Sequence, residues 1–356
     1  MPRSISRLRV RCLAISRPGQ IASSAHLVAK FILVLLLLHP SWAVASGGTC
    51  SLKNLSSFGN TVIDIVANNA TYTTSQVEYT CNSPLKFNNI KFCTYIRPVD
   101  NNSDNNTSNI FYQRLGQKNQ LAWQLKLAND QNIPLSKYGG VGVTAGWNHS
   151  VNRLLANQST IASQKLILSY LGRQQQGRVG SGTYIGTYQL VTQYKFNHGI
   201  SSTCGSAIAD PDGTIITNFN VSTTVEKKCQ LENFQDVDFG NLRGTDLAYN
   251  GNHVAAAYGN IGIRCTYQTP YKISLNAGNN SENGTPRMKN DKNFLPYRLL
   301  QEGCKTAWDD KNFLAGNGNT VNAINNHQVC TQIVTSLTTA PAIGNYTDTV
   351  IVTATF

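Results

Sequence analysis

The sequence lacks the motifs of the common enzyme classes. HExxH, GxSxG, GxxxxGK[ST] and GxGxxG are all absent, so the usual zinc-hydrolase, nucleophile-elbow and phosphate-binding sites are not encoded. "DPDG" at residues 210–213 starts like a calcium loop but lacks the later ligands and the glutamate. We therefore expect no enzyme, no metal and no cofactor. The histidines after residue 45 are scattered and are each best explained as polar loop residues: His149, His198, His253 and His327.

Charge and long apolar runs are scarce as well. Only 13% of the residues are charged, and no Lys/Arg cluster stands out, which argues against nucleic-acid binding. The one marked apolar run, Phe31–Leu38, is too short to span a bilayer, so no membrane span is expected. Basic residues precede this run and Ala43-Val44-Ala45 follows it. This pattern predicts a secretory signal peptide over residues 1–45. Those residues carry six of the net +12 charges, which leaves +6 on the other 311.

Eight of the nine cysteines follow the predicted signal peptide, an even number. An even count in an exported protein indicates disulfides. A zinc site needs closely spaced pairs, and no CxxC or nearby histidine pair occurs. The eight are Cys50, Cys81, Cys93, Cys204, Cys229, Cys265, Cys304 and Cys330.

The chain contains an internal repeat. Residues 182–196 and 344–356 both begin with glycine, place tyrosine two residues later, and continue into alternating apolar residues. Four landmarks occur upstream of each in the same order, which argues for duplication. The matched positions are Cys50 with Cys229, Phe58 with Phe239, Cys81 with Cys265, Trp123 with Tyr297, and Tyr184 with Tyr346.

The repeat reduces the possible cysteine pairings. Cys50–Cys81 and Cys229–Cys265 are expected as equivalent disulfides, and Cys304–Cys330 as one private to the second copy. Cys93–Cys204 is then left by elimination.

Two domains follow from the repeat, at residues 46–200 and 214–356, with a turn-rich linker at 201–213. Both consist of short alternating runs separated by Gly, Asn and Ser clusters, with little helical periodicity. We predict an all-β fold made of two sandwiches.

The second domain resembles the spore coat protein U family, whose fold is that of the Csu-type, archaic chaperone–usher pilins. The matching segments are "VSTTVEKKCQL", Phe239-Gly240, "IRCTYQTPYKISLNAG", "PRMKND", "LPYRLL", "AWDD" and "APAIGNYTDTVIVTATF". The first domain fits more loosely. Two such domains in tandem resemble the tip adhesins of these pili.

The resemblance implies two tandem immunoglobulin-like β-sandwich domains, the second an incomplete pilin fold awaiting a donor strand. The implied partners are a periplasmic chaperone, an outer-membrane usher, an adjacent pilin subunit, and an abiotic or host surface. The implied location is the Gram-negative periplasm and then the pilus tip, with a role in biofilm formation. One wall of the donor groove is expected at residues 346–356, with Tyr346, Val350, Val352, Ala354 and Phe356 on one face.

The two segments that precede the matched cysteines refine this interpretation. Only "SGGT" lies between the predicted cleavage site and Cys50, so we expect a subunit that accepts a strand but has none to give. Residues 214–225 lie before Cys229, where a shaft pilin carries its donor. We hypothesise that they pack against or complete the first domain in cis.

Two loops of the first domain are candidate surface-binding loops. Residues 136–149 place Tyr138, Val141, Val143 and Trp147 among glycines; the alternative is that they close the end of the core. Residues 172–182, with Arg173, Arg178 and Val179, are expected at the distal end. A sugar-binding lectin tip and a non-adhesive minor pilin or coat protein remain alternatives to an adhesin.

Overall fold

The computed structural model describes most of the chain after the predicted signal peptide, which itself lies outside the described residues. The described residues are 47–68, 71–99, 109–116, 119–128, 134–135, 144–154, 156–197, 203–204, 208, 210–243, 247, 255–333 and 341–356. Within them, no helix is long and apolar enough to cross a membrane.

The described residues form nineteen β-strands and one short 3-10 turn, Arg173–Gln175. The all-β prediction is therefore confirmed. The first eleven strands are β1 Thr49–Leu55, β2 Asn60–Ile63, β3 Tyr72–Asn82, β4 Phe87–Pro98, β5 Phe111–Leu115, β6 Asn119–Leu127, β7 Thr144–Leu154, β8 Ser159–Tyr170, β9 Gly182–Phe196, β10 Thr203–Cys204 and β11 Gly213–Val225. The others are β12 Cys229–Gln235, β13 Ala256–Cys265, β14 Pro270–Leu275, β15 Arg287–Asn290, β16 Asn293–Leu300, β17 Leu314–Asn317, β18 Asn325–Ile333 and β19 Val352–Thr355.

The two halves of the chain repeat one strand order. The first sheet runs β1-β3-β8-β6-β5-β9-β4-β7-β10, and the second half runs β12-β13-β18-β16-β15 and β17-β14-β19. A single bridge joins β5 to β9 at Arg114 and Ile185. Its counterpart joins β15 to the segment before β19 at Lys289 and Thr347. The duplication inferred from the sequence is thus present in the topology.

β11 belongs to the first of these sheets by its hydrogen bonds. It pairs antiparallel with β9 along its whole length, from Gly213 opposite Tyr194 to Val225 opposite Gly182. Its last four residues also pair in parallel with β2. This confirms the hypothesis that residues 214–225 pack against the first domain. The domain boundary at residue 214 remains a sequence prediction. β11 follows that boundary in the sequence but is hydrogen-bonded to strands of the first domain.

Alternation along β11 places every second side chain in the first core. Phe219, Val221, Thr223 and Val225 are buried, and the Phe219 ring lies 5.8 Å from that of Phe58 and 5.6 Å from that of Tyr188. Burying a large apolar side chain stabilises a fold by about 1.5–3 kcal/mol, so β11 contributes substantially to the first core.

Trp147 is also a core residue, and its expected role in an exposed binding loop is wrong. It lies in β7 and is only 6% exposed, with its ring stacked 4.1 Å from that of Phe92. The other three candidates of that loop, Tyr138, Val141 and Val143, lie outside the described residues.

All four expected disulfides are present: Cys50–Cys81, Cys93–Cys204, Cys229–Cys265 and Cys304–Cys330. The first and third join equivalent strand pairs at equivalent positions. The second fixes β10, shortly before β11, to the middle of β4.

The loop at residues 172–182 does not lie at the distal end, as the sequence analysis expected, but against the second domain. Val179 is fully buried, and its carbonyl accepts a 2.8 Å hydrogen bond from the Tyr267 amide. The Arg173 guanidinium lies 3.3 Å from the Glu232 carboxylate, and that of Arg178 lies over the Tyr267 ring. The expectation failed because β9 is not the last strand of the first domain. β11 runs antiparallel to β9 and ends beside its first residue, Gly182, so the chain enters the second domain at the end where residues 172–182 lie.

Candidate functional site

The second domain has an open position where the first domain has a strand. In the first domain, β9 lies between β4 and β11. In the second domain, the equivalent strand β19 pairs with β14 on one side, and within the described part of the chain it has no neighbour on the other. Among the described strands, β12 is likewise an edge strand, paired with β13 alone. A groove therefore separates two sheet edges.

The groove holds a cavity of about 550 Å³, next to a second of about 720 Å³. In the first domain, Phe219 of β11 packs between Phe58 and Tyr188. The repeat matches these two residues with Phe239 and Val350, which both line the groove. The remaining apolar lining is Phe234, Val237, Ile261, Leu275, Met288, Leu299, Val329 and Val352.

The residues expected to form one wall are placed as follows. Tyr346, Val350 and Val352 line the cavity. Ala354 packs against the same core without lining the cavity. Phe356 is 44% exposed and lies beside a different pocket, with Lys227 and Lys272, so it does not line this cavity. The strand is also shorter than expected, because residues 346–351 are not all held in a ladder.

Among the polar residues that line the groove, Tyr297 and Asp348 form a hydrogen-bonded pair. The Tyr297 hydroxyl donates a 2.8 Å hydrogen bond to Oδ2 of Asp348, and both residues line the cavity. Oδ1 of Asp348 accepts hydrogen bonds from the Asn279 amide and the Asn280 side chain. Burial, together with the hydrogen bond to and the charge of Asp348, raises the pKa of Tyr297 well above its ordinary value. The Tyr297 hydroxyl therefore keeps its proton at neutral pH and donates it to the hydrogen bond with Asp348.

Thr331 is another polar residue of the groove lining. It is 3% exposed and lines the cavity, and its Oγ1 has no hydrogen-bond partner among the described residues. Sequence reasoning missed Thr331 and Asp348. The signal available for Asp348 was its position as the one charge on an otherwise apolar alternating face.

The described strands β12 and β19 each leave one edge of the groove without a paired neighbour. An exposed sheet edge carries unpaired backbone donors and acceptors and readily accepts another strand. The described residues contain no cluster of three or more His, Cys, Asp or Glu side chains able to hold a metal ion. The two described histidines are each hydrogen-bonded to a neighbouring hydroxyl, His149 to Thr160 and His327 to Tyr271.

Fold and groove together define a class: an all-β protein of two repeated domains, in which the described part of the second domain has no strand at the position of β11. Residues 215–353 match the family model of the Spore Coat Protein U domain. This part of the chain is therefore similar to the Spore Coat Protein U domain, the family that its sequence motifs resemble.

Several solved structures are similar to the chain. One is a chain of the CsuC–CsuE chaperone–tip adhesion subunit pre-assembly complex from the archaic Csu pili of Acinetobacter baumannii, at 19% identity over 86% of this chain and 100% of that one, with a TM-score of 0.46. The CupB6 tip adhesin from Pseudomonas aeruginosa is 9% identical over 87% and 94%, with a TM-score of 0.35. CfaE, the adhesive subunit of the CFA/I fimbria of enterotoxigenic Escherichia coli, is 13% identical over 85% and 93%, with a TM-score of 0.30. No curated protein sequence matches the chain.

Proposed function

We propose that this protein is the tip adhesin of a chaperone–usher pilus and that its second domain accepts a donor strand beside residues 344–356. The donor comes first from a periplasmic chaperone and then, at the outer-membrane usher, from the adjacent pilin subunit. One observation carries the proposal: β11 fills in the first domain the position that is open in the second.

The geometry of β11 shows what such a donor requires. β11 pairs with residues 182–194 of β9 over thirteen residues, and the repeat matches these with 344–356. An incoming strand of the same length would pair along this whole segment. Its backbone would satisfy the free edge, and its alternate side chains would fill the cavity. Without a partner, the half-buried Val350 and Val352 border an open groove, which is a liability for aggregation.

The pairing of β11 within its own chain also supports the proposed position of this subunit at the tip of the pilus. In the second domain, the segment before the first cysteine is the one that would be donated to a neighbour. Here that segment is held by β9 and β2 of its own chain, so it is not available to another subunit. The first domain then lies at the free end, where it meets an abiotic or host surface and supports biofilm formation.

The contact surface is proposed at the end of the first domain opposite residues 172–182. That end contains the turn between β3 and β4 and the beginnings of β8 and β11. Leu85, in the β3–β4 turn, is 54% exposed there.

Strand acceptance is tested by two matched substitutions on neighbouring residues. Val350→Asp places a charge in the groove, whereas Ile351→Asp places it on a side chain that is 56% exposed on the opposite face. Co-expressed with the chaperone of the same pilus, the V350D chain should lose co-purification and the I351D chain should retain it. Equal co-purification of both variants would contradict strand acceptance at this groove.

The adhesive role is tested in cells. Deletion of the gene should abolish attachment to polystyrene while pili still assemble; unchanged attachment would contradict it. Detergent-sensitive attachment would favour a hydrophobic contact, and sugar-inhibited attachment would favour a lectin.

A further inference from the structure

The first domain shows how a filling strand matches its groove in polarity. Thr223 of β11 is fully buried. Its hydroxyl donates a 2.9 Å hydrogen bond to Oε1 of Gln113 and lies 2.6 Å from the Tyr170 hydroxyl. Two positions earlier, β11 presents Val221, which is also buried in an apolar environment. A polar side chain of β11 therefore faces polar wall residues, and an apolar one faces apolar residues.

Strand register assigns the equivalent wall positions in the second domain. Trp123 pairs with Tyr170 in the first domain, and Tyr297 pairs with Ile333 in the second. Ile333 is therefore the counterpart of Tyr170, and Thr331, two residues earlier, is the counterpart of Leu168.

The same reasoning applies to the strand that carries Gln113. Gln113 pairs with Leu121, and Met288 pairs with Leu295. Since Leu121 and Leu295 are matched by the repeat, Met288 is the counterpart of Gln113.

The polarity of the wall is thus exchanged between the two domains. Both polar partners of Thr223 are replaced by apolar residues, Met288 and Ile333. The apolar Leu168, which is fully buried, is replaced by Thr331 with its unpartnered hydroxyl. Tyr170 of β8 meets Thr223 of β11, and the two strands run in the same direction. Two residues back along each strand, Leu168 is therefore at the level of Val221.

We infer that the donor strand of the second domain carries a hydrogen-bonding side chain, such as Ser, Thr or Asn, at the position equivalent to Val221, and an apolar side chain at the position equivalent to Thr223. This inference rests on the proposed function. In the register of β11, Val221 lies opposite Gly186, the counterpart of Asp348. The polar donor residue therefore meets Thr331 at the same level of the groove as the Tyr297–Asp348 pair. A buried hydroxyl without a partner is costly, so this position selects among donor strands.

Two synthetic peptides test the inference on the purified full chain. One has the sequence of residues 213–225, and the other carries the exchanges V221T and T223V. Affinity is measured by fluorescence anisotropy. Hydrogen exchange at residues 346–352 shows whether a peptide occupies the groove or instead displaces β11. We expect the exchanged peptide to bind the groove about tenfold more tightly or better, because each mismatch in the parent peptide buries an unpaired polar group.

A variant of the full chain at Thr331 separates the effects of the two peptide exchanges, V221T and T223V. Thr331→Val removes the hydroxyl at nearly constant volume, so it should abolish the preference for threonine at position 221 and leave that for valine at position 223. If both peptides protect residues 346–352 with equal affinity, or the parent binds better, the polarity inference is wrong while strand acceptance stands. If neither peptide protects these residues, strand acceptance and the inference fail together.

Discussion

Replacing Phe219 by alanine should strongly destabilise the first domain, because β11 is an integral strand of that domain. Phe219 is 8% exposed and packs against the rings of Phe58 and Tyr188. Removal of a buried phenylalanine costs about 3–5 kcal/mol, a total that includes the lost ring contacts, and two aromatic pairs place Phe219 in the upper part of that range. We therefore expect a loss of about 4 kcal/mol or more, a large fraction of the ordinary stability of a domain.

The matched control is Asn220→Ala, the neighbouring residue on the exposed face of the same strand. It should change stability by no more than about 0.5 kcal/mol. Because a two-domain chain need not unfold in one step, the assay is amide hydrogen exchange at the core strand β9, read at Leu190 and Val191, beside urea unfolding of the full chain. Equal protection of β9 in the F219A and N220A variants would refute the assignment of β11 to the first core.

Four further predictions concern other parts of the fold. Val179→Ala should destabilise the contact between residues 172–182 and the second domain by about 1–3 kcal/mol, since Val179 is fully buried. Calorimetry that shows no change would contradict this prediction. Attachment to polystyrene should be unaffected at a permissive temperature. The double variant C93S/C204S should lower the free energy of unfolding by about 4–5 kcal/mol in the chain-entropy model, because this disulfide spans 111 residues. An unchanged urea midpoint under oxidising conditions would argue against this prediction. Tyr297→Phe should cost about 1.5–3 kcal/mol, the value of a hydrogen bond to a charged group, whereas Tyr346→Phe, whose hydroxyl donates to an exposed carbonyl, should cost less. Burial raises the pKa of Tyr184 to about 12, so the folded state holds this proton more tightly than the unfolded state. The associated stability is complete below pH 10 and is lost as pH rises towards 12. The absorbance titration at 295 nm should show a tyrosine fraction that ionises late, and simple titration of every tyrosine near pH 10 would contradict it.

The sequence predicted the repeat because repetition leaves local marks. Cysteines, a Phe-Gly pair and a Gly-x-Tyr sequence recur in order, and the matched cysteines occupy equivalent strand positions in both domains. The first-domain role of residues 214–225 could also be inferred, because this segment precedes the cysteine that matches Cys50. Disulfides followed from the same alignment.

The wrong or missing predictions concern residues whose position depends on the path of the chain through the fold and not on the local sequence pattern. The position of residues 172–182 depends on the return of β11 alongside β9, a pairing between distant segments. Trp147 looked like a loop residue because glycines precede it, but its strand stacks it on Phe92. Thr331 could not be identified from the sequence at all, because only the register of β16 and β18 shows which residue of the first domain it replaces.

The pairing of β11 has a mechanical consequence. Residues 226–228 lead directly from β11 into β12, so tension on the second domain enters the first at Val225 and pulls β11 along its own axis. Ladder hydrogen bonds lie across that axis, and thirteen residue pairs with β9 are therefore loaded together in shear instead of opening one after another. At the other end of the strand, the Cys93–Cys204 bond limits how far the segment could slide. The strand that completes the first domain is therefore also the one that bears load.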